Sequence, residues 1–456
     1  MKIPRILISS VSGKSGKTTV TIALIKKLRE HGLRVQPFKV GPDFIDPSYH
    51  TYFSGTYSRN LDSVMFSEET ILASFIKNSS NSDVAVIEGV FGLYDSVDGV
   101  TEKGSTAEIS KILRTPVILV MNAERINRGL IPILRGFREF DRKVRIRGVI
   151  INNIANERQK EKIVKAFREE FKDVEVVGTV PRSRIVEEKM RYRHLGLTPV
   201  SERSREMIEV EEAIKFVGEH IEIDKIIEIS REAEDLPEIE LDFPRVKVNV
   251  RVGVMIDDVF SFYYPENVEY IQNTAQRIVT INSLKDSKLP EIDMLYIGGG
   301  FPEVYAEALE KNKTMKKEIV RNVEKGMKIY AECGGLMYLS EKVKAFDNKE
   351  YEMVGLIDGF VEMFEKPVAH GYTYLEALRG NPLADPGSEV VGHEFHYSKI
   401  NLREEVDYAF KVKKGYGVNG VHDGIIKENI LAMYTHLHVL HNYRIFLRML
   451  KWVEES

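Results

Sequence analysis

Cysteine is almost absent: 456 residues contain one, Cys333. A lone cysteine can form neither an internal disulfide nor a multi-cysteine zinc or iron–sulfur site, and such usage points to a reducing compartment. Long apolar runs are missing too, none approaching the roughly 18 residues of a membrane span. The opening "MKIPRILISSVSG" has neither the basic start nor the length of a signal peptide. The expectation is a cytoplasmic protein that does not enter a membrane. Excess basic charge is lacking as well. A net charge of −4 gives no overall positive field to gather nucleic acid, so any anion must be held by a local site. There is no internal repeat and no low-complexity tract. What remains, 43% apolar residues in a chain of this length, suffices for more than one core.

Short β-branched runs alternate with amphipathic patterns from the start: "RILISS", "GKTTVTIALIKKLREHG", "RVQPFKV", and later "VAVIEGV", "PVILVMN", "RGVIIN" and "VEVVGTV". This is the pattern of βαβ units around a buried parallel sheet, hence an α/β domain. From 201 to 234 the chain turns charged and helical, as a peripheral element covering that domain. "PEIELDFPRVKVNV" reads as a linker, and a second strand series follows in "RVGVMID", "RIVTINS", "MLYIGGG" and "KIYAECGG". The expected domains are 1–235 and 249–456, joined by a linker over 236–248.

"LISSVSGKSGKTTV" places a Gly/Ser loop between a strand and a helix. Gly13, Gly16 and the amides around them would face phosphates, Lys17 would reach the terminal ones, and Thr18, followed by Thr19, would offer a hydroxyl to Mg²⁺. The strict form of this motif has glycine where Val11 stands. Glu88, closing a buried strand, and Lys39, Asp43 and Asp46 on a loop supply the charges that a metal-bound triphosphate needs.

"KIYAECGGL" reads as a strand entering a sharp turn before a helix, the layout that projects a nucleophile and frees the amides behind it. The helix start is expected to lower the thiol pKa of Cys333. "MYTHLHVLH" supplies His436 and His438 as candidate bases, and Gly298, Gly299 and Gly300 supply candidate oxyanion donors. A rival reading takes His393, His396, His436, His438 and Glu394 as ligands of zinc or iron, although their spacing is not that of a helical H-E-x-x-H site.

With both ends assembled, the chain resembles the cobyrinic acid a,c-diamide synthase family. The likeness is carried by "SGKTTVT", "GLRVQPFKVGPDFIDPSYH", "VIEGVFGLYD", "RHLGL", "IGGGFPEVYAEAL", "YAECGGLMYL", "GHEFHYS" and "YTHLH". The resemblance implies a dethiobiotin-synthetase-like, P-loop ATP-binding domain followed by a class I glutamine amidotransferase domain. It implies that Cys333 attacks glutamine to release ammonia, that His436 moves protons, and that backbone at Gly299, Gly300 and Gly334 forms the oxyanion hole. Many such enzymes carry glutamate where His438 stands, so the third member of the site is open. At the other end the resemblance implies that ATP phosphorylates a tetrapyrrole carboxylate, which ammonia converts to an amide. There Thr18, Glu88 and one of Asp43 or Asp46 would hold Mg²⁺, Asp46 and Asp95 would handle the substrate carboxylate or its intermediate, and Asn152 would face adenine. The departures are Ser10-Val11 and Lys14, where relatives have Gly-Thr and glycine, and they bear on nucleotide affinity.

The implied partners are small molecules, namely ATP, glutamine and a tetrapyrrole, with no nucleic acid or membrane; a homodimer is compatible. The same residues would serve Ni-sirohydrochlorin, whose reacting acetates are alike. A P-loop switch ATPase, from another class, leaves the cysteine turn unexplained, and a metal-dependent hydrolase would rest on the histidines.

Overall fold

The structure is a computed structural model that describes residues 1–190, 192–193, 196–197, 207–240 and 246–455. His194 and Leu195 of "RHLGL", the first residues of the expected helical run from 201, and residues 241–245 of the expected linker lie outside them. The chain divides into two compact units, Met1–Asp242 and Phe243–Ser456.

The first unit is built on seven parallel strands: β1 (Arg5–Ser10), β2 (Val35–Val40), β3 (Arg59–Leu61), β4 (Val84–Glu88), β5 (Val117–Asn122), β6 (Ile146–Ile154) and β7 (Glu175–Pro181), in the order β3-β2-β4-β1-β5-β6-β7. Every residue of β1, β2 and β4 is buried. Strands covered on both faces need continuous apolar runs rather than alternation, which is why "RILISS" and "VAVIE" read as they do. The chain moves outward from β1 in one direction to β2 and β3 and then crosses to β5, so β1 and β4 lie where the winding reverses. Open α/β sheets bind ligands at the carboxyl ends of such strands.

Helix α1 (Lys17–Glu30) buries Ile22, Ile25 and Leu28 in one core with Val210, Ile214 and Val217 of the helix Met207–Glu219. Lys27 Nζ reaches the carbonyls at that helix's end, Gly218 O and Ile221 O, at 2.7 Å each. The charged segment expected to be peripheral thus presents its apolar stripe to α1 and its acids to solvent. At the opposite end of β1 the fully buried Arg5 donates to Leu113 O (2.7 Å), Ile3 O (2.8 Å) and Glu234 O (2.5 Å). Burial pulls its pKa down to about 10 against the opposing charges of Glu234 and Asp235.

In the second unit the strands Arg277–Ile281, Arg251–Met255, Met294–Ile297, Lys328–Glu332 and Ile430–Met433 lie parallel in that spatial order. His422–Lys427, Asp407–Lys414, Ala369–Ala377 and Glu389–His396 extend the sheet antiparallel. A separate four-stranded sheet collects the short pieces after 340. Lys328–Glu332 is central in the larger sheet, so Cys333 leaves the carboxyl end of a buried parallel strand, beside Tyr434 to His436 leaving the next one.

Candidate functional site

In the first unit the loop after β1 exposes Ser12, Gly13 and Lys14 and then turns into α1 at Gly16. Gly16 has φ 89°, and a Cβ there would strike the Asn152 side chain, whose Nδ2 donates to Ser15 O at 3.0 Å. Only glycine meets both demands. Lys14 keeps a left-handed φ of 60° without being glycine, and Ser10 Oγ donates to Ser12 O (2.9 Å) and Phe91 O (3.2 Å). The departures from the family pattern therefore leave a loop-shaped turn with local hydrogen bonds of its own. Asn152, expected against adenine, braces this loop from β6.

Behind the loop, Thr18 Oγ1 donates to Glu88 Oε1 at 2.6 Å and lies 3.4 Å from Asp46 Oδ2. Lys39 Nζ pairs with Asp46, with Glu88 Oε1 at 3.2 Å and with Asp43 Oδ2 at 3.6 Å. Burial depresses the Lys39 ammonium, but Asp46, Glu88 and Asp43 outweigh it and hold its pKa well above the usual value. Asp46 is pushed up by burial, which outweighs its lysine partner. For Glu88 burial is overcome by Lys39 and by His50, and its carboxyl stays well below the usual range. Lys17 is lowered to about 8 by burial and by Lys39, against the nearby carboxylates.

Asp43 Oδ1 also accepts from Ile45 N at 2.8 Å, opening the helix Ile45–Ser54, so Asp46 rather than Asp43 stands next to Thr18 and Glu88. The residues around Thr18 offer hydroxyl and carboxylate oxygens, the donor set a hard cation takes. Asp95 Oδ2 accepts from Gly92 N at 2.8 Å within the loop after β4, which reaches the P-loop through Leu93 N to Ser10 O at 2.9 Å. His50, which sequence reasoning missed, sets Nε2 2.7 Å from Glu88 Oε2; the only signal for it was its place at the end of "PDFIDPSYH".

In the second unit Cys333 adopts φ 49° and ψ −100° between its strand and the helix Gly334–Leu339. A bulky residue at positive φ is strained and is kept only where the surroundings fix it, here by Cys333 N donating to Met433 O at 2.7 Å. A Cβ on Gly334 would lie 2.9 Å from Gly300 N, so these two glycine backbones close on each other. Gly300 has φ 153°, and its Cα faces the carbonyl of Val259 so closely that a Cβ would overlap it. A Cβ on Gly299 would overlap the His436 ring. The turn therefore brings the Cys333 segment, the glycine triplet and the His436 imidazole to one place.

The expected lowering of the Cys333 pKa is reversed. Cys333 is only 5% exposed, and burial pushes the thiol up, with Glu303 adding; the Gly334 amide, at the start of a six-residue helix, opposes this without prevailing. The thiol thus needs a base to take its proton.

The histidines do not gather as a metal site: among the described residues no three His, Cys, Asp or Glu side chains are placed to hold a metal ion. His396 Nδ1 faces Ser398 O at 2.8 Å, with its ring stacked 3.9 Å from Tyr434. His393 lies 3.0 Å from Tyr264 Oη and stacks on His436 with ring centroids 5.0 Å apart. Burial, with the neighbouring imidazoles adding, keeps His393 well below the usual histidine pKa. His438, left open by the sequence, is a helix cap: its Nδ1 accepts from Leu440 N at 3.2 Å at the start of Val439–Glu454, and its ring packs 4.2 Å from Tyr264. Buried Asp423 accepts from Tyr434 N and Thr435 N at 3.0 Å each and so fixes the segment carrying His436. Sequence reasoning passed over it.

Fold and site together define a two-part chain, a nucleotide-binding α/β unit and a glutamine amidotransferase unit. Residues 6–195 match the CobQ/CobB/MinD/ParA nucleotide binding domain, and residues 251–443 match the CobB/CobQ-like glutamine amidotransferase domain. The cobyrinate a,c-diamide synthase of Archaeoglobus fulgidus is 46% identical, with 99% of this chain and 98% of that one covered. The synthase of the same name from Listeria monocytogenes is 39% identical over 99% of both chains, and that of Methanosarcina acetivorans 38% identical over 96% of this chain and 92% of its own. The chain belongs to the cobyrinate a,c-diamide synthase family.

Proposed function

We propose that this protein is a glutamine-hydrolysing ligase that uses ATP to amidate the a and c acetate carboxylates of cobyrinic acid, in the cytoplasm, where both co-substrates are supplied. The observation that carries this reading is the cysteine turn with its facing glycines and His436 in one chain with a phosphate loop backed by Thr18 and Glu88. A switch ATPase has use for the second and none for the first.

His436 takes the Cys333 proton. The thiolate attacks the side-chain amide carbon of glutamine, and the oxyanion that forms is met by amides at Gly300 and Gly334. Collapse expels ammonia with the proton returned by His436, and water then releases glutamate from the thioester. In the other unit the loop amides and Lys17, together with Thr19, would hold the triphosphate, and Asn152, which braces the loop, would meet the base. A carboxylate is a poor electrophile at neutral pH; transfer of the terminal phosphoryl group to it gives an acyl phosphate, from which ammonia displaces phosphate. Thr18, Glu88 and Asp46, the acid that stands beside them, would hold Mg²⁺, which when bound neutralises charge on the phosphates. Asp46 and Asp95 orient the substrate carboxylate.

The test is Cys333→Ser assayed with each nitrogen source and a panel of cobyrinic acid, hydrogenobyrinic acid and Ni-sirohydrochlorin, counting added amides by mass. Two amides on cobyrinic acid, lost with glutamine but kept with ammonium salts, are expected. Loss of both activities, or turnover of Ni-sirohydrochlorin alone, refutes the reading as stated.

A further inference from the structure

Glu332 immediately precedes the cysteine and is 2% exposed. In a strand buried on both faces an acid is costly unless its oxygens are met. Three donors meet them: Tyr330 Oη at 2.8 Å and Leu437 N at 3.3 Å on Oε1, and Tyr296 Oη at 3.1 Å on Oε2. The same Oε2 lies 3.7 Å from Nδ1 of His436, itself 2% exposed.

Both tyrosines belong to central strands of the sheet, Tyr296 in Met294–Ile297 and Tyr330 in Glu332's own strand two residues back, on the same face. Leu437 directly follows His436. The carboxylate is thus held from three sides with its remaining direction toward the imidazole. His438, two residues on, caps its helix, and its Nε2 faces Glu266 Oε2 at 3.7 Å.

We infer that Glu332 is the positioning residue of the glutaminase, facing Nδ1 of His436 so that the proton sits there and Nε2 is free to take the proton of Cys333. When His436 becomes imidazolium, Glu332 lies opposite the charge. This is the task of the carboxylate in a Ser-His-Asp triad, done here from the residue before the nucleophile. The separation of 3.7 Å is longer than a hydrogen bond, as catalytic contacts often are before substrate arrives. The inference rests on the reading of Cys333 and His436 given above.

The experiment uses the full chain with ATP, cobyrinic acid and either glutamine or ammonium chloride. Glu332→Gln keeps the shape and an acceptor for the tyrosines but favours the wrong tautomer. Expected is a fall in glutamine-dependent kcat of about 10²–10⁴-fold, KM for glutamine within about threefold, and intact ammonia-dependent amidation. In a His436→Ala background the same change should cost nothing further, because groups acting as one unit are not additive. Glutaminase within about threefold of the parent, or an equal loss in both backgrounds, overturns the inference. Should Glu332→Gln lose ammonia-dependent activity as well, Tyr296→Phe decides, since it frees one hold on Oε2: a kcat drop at constant KM supports the assignment and an unchanged kcat overturns it. Cys333→Ser run alongside separates the two claims. If it retains glutaminase, the reading of the cysteine fails; if it loses glutaminase while Glu332→Gln does not, only the role of Glu332 fails.

Discussion

In the nucleotide-binding unit the side chains that matter carry charge: Lys17, Lys39, Asp43, Asp46 and Glu88 crowd behind one loop, each shifted or held by the others. In the amidotransferase unit the corresponding place is made of backbone, a raised thiol, glycines at close approach and stacked imidazoles, with one buried carboxylate, Glu332, met by hydroxyl and amide donors. The first arrangement suits a reaction that moves several negative charges, the second one that must create a single thiolate and a single oxyanion for an instant. Ion pairs fill the first site, whereas in the second the Glu332 carboxylate is met by neutral donors and the reacting charges appear only during turnover.

The comparison breaks most sharply at Glu88. Glu88→Gln removes a fully buried carboxylate that serves Thr18, Lys39 and His50 together. Amidation should fall with either nitrogen source, by more than the roughly 10–100-fold seen when a supporting partner of a metal site is lost. Glutaminase measured alone should persist. Normal amidation by this variant would remove Glu88 from the phosphate site.

Gly300→Ala tests the other material. The added methyl would overlap Val259 O at a backbone φ of 153°, so the turn must shift and carry its amide off target. Glutaminase is expected to drop about 10²–10³-fold, the range for losing an oxyanion donor, while ammonia-dependent amidation survives. Glutamine turnover close to the parent would show that Gly300 serves packing only.

A third difference is pH. His393 in the folded protein stays neutral well below the ordinary histidine pKa, because burial and neighbouring imidazoles oppose its charge. The unfolded chain binds that proton near pH 6.5, so stability is full above this value and falls as pH drops toward the folded pKa, by up to about 1.4 kcal/mol per pH unit. The one tryptophan, Trp452, reports the second unit. Its urea midpoint should fall between pH 7.5 and 5.5, and His393→Gln should flatten part of that fall. An unchanged slope would mean that the proton binds elsewhere.

These contrasts explain what could be read beforehand. The α/β class followed from apolar runs such as "RILISS" and "VAVIE", because strands buried on both faces leave no other pattern. The loop at Gly13–Thr18 was legible because phosphate chemistry fixes residue types at fixed spacing. At the cysteine end the turn was legible from "ECGG", but the direction of the thiol shift was not: it depends on how many apolar groups the fold packs around Cys333, which periodicity does not tell. His50, Asp423 and Glu332 act across chain separations of 38, 12 and 104 residues on Glu88, Thr435 and His436, and no local pattern links them. Glu332 did leave a trace, as a charge at a strand position where Tyr330 and Ala331 announce burial.

The smallest effect belongs to Lys14, the non-glycine at φ 60° in the exposed loop. Left-handed backbone costs an L-residue roughly 1–2 kcal/mol, and glycine would avoid this while adding about 0.4–1 kcal/mol of freedom to the unfolded chain. Lys14→Gly should therefore change stability by roughly 0–1.6 kcal/mol, in the stabilising direction. A lysine at such a position invites a second explanation in charge, since the residue is exposed in the loop whose amides would meet phosphate. That contribution would be screened. ATP affinity of Lys14→Gly, measured by titration at low and high salt, should be weaker by a few-fold at low ionic strength and equal to the parent at about 1 M, where the Debye length is about 3 Å. Equal affinity at both would leave Lys14 as a strained residue with no part in holding nucleotide.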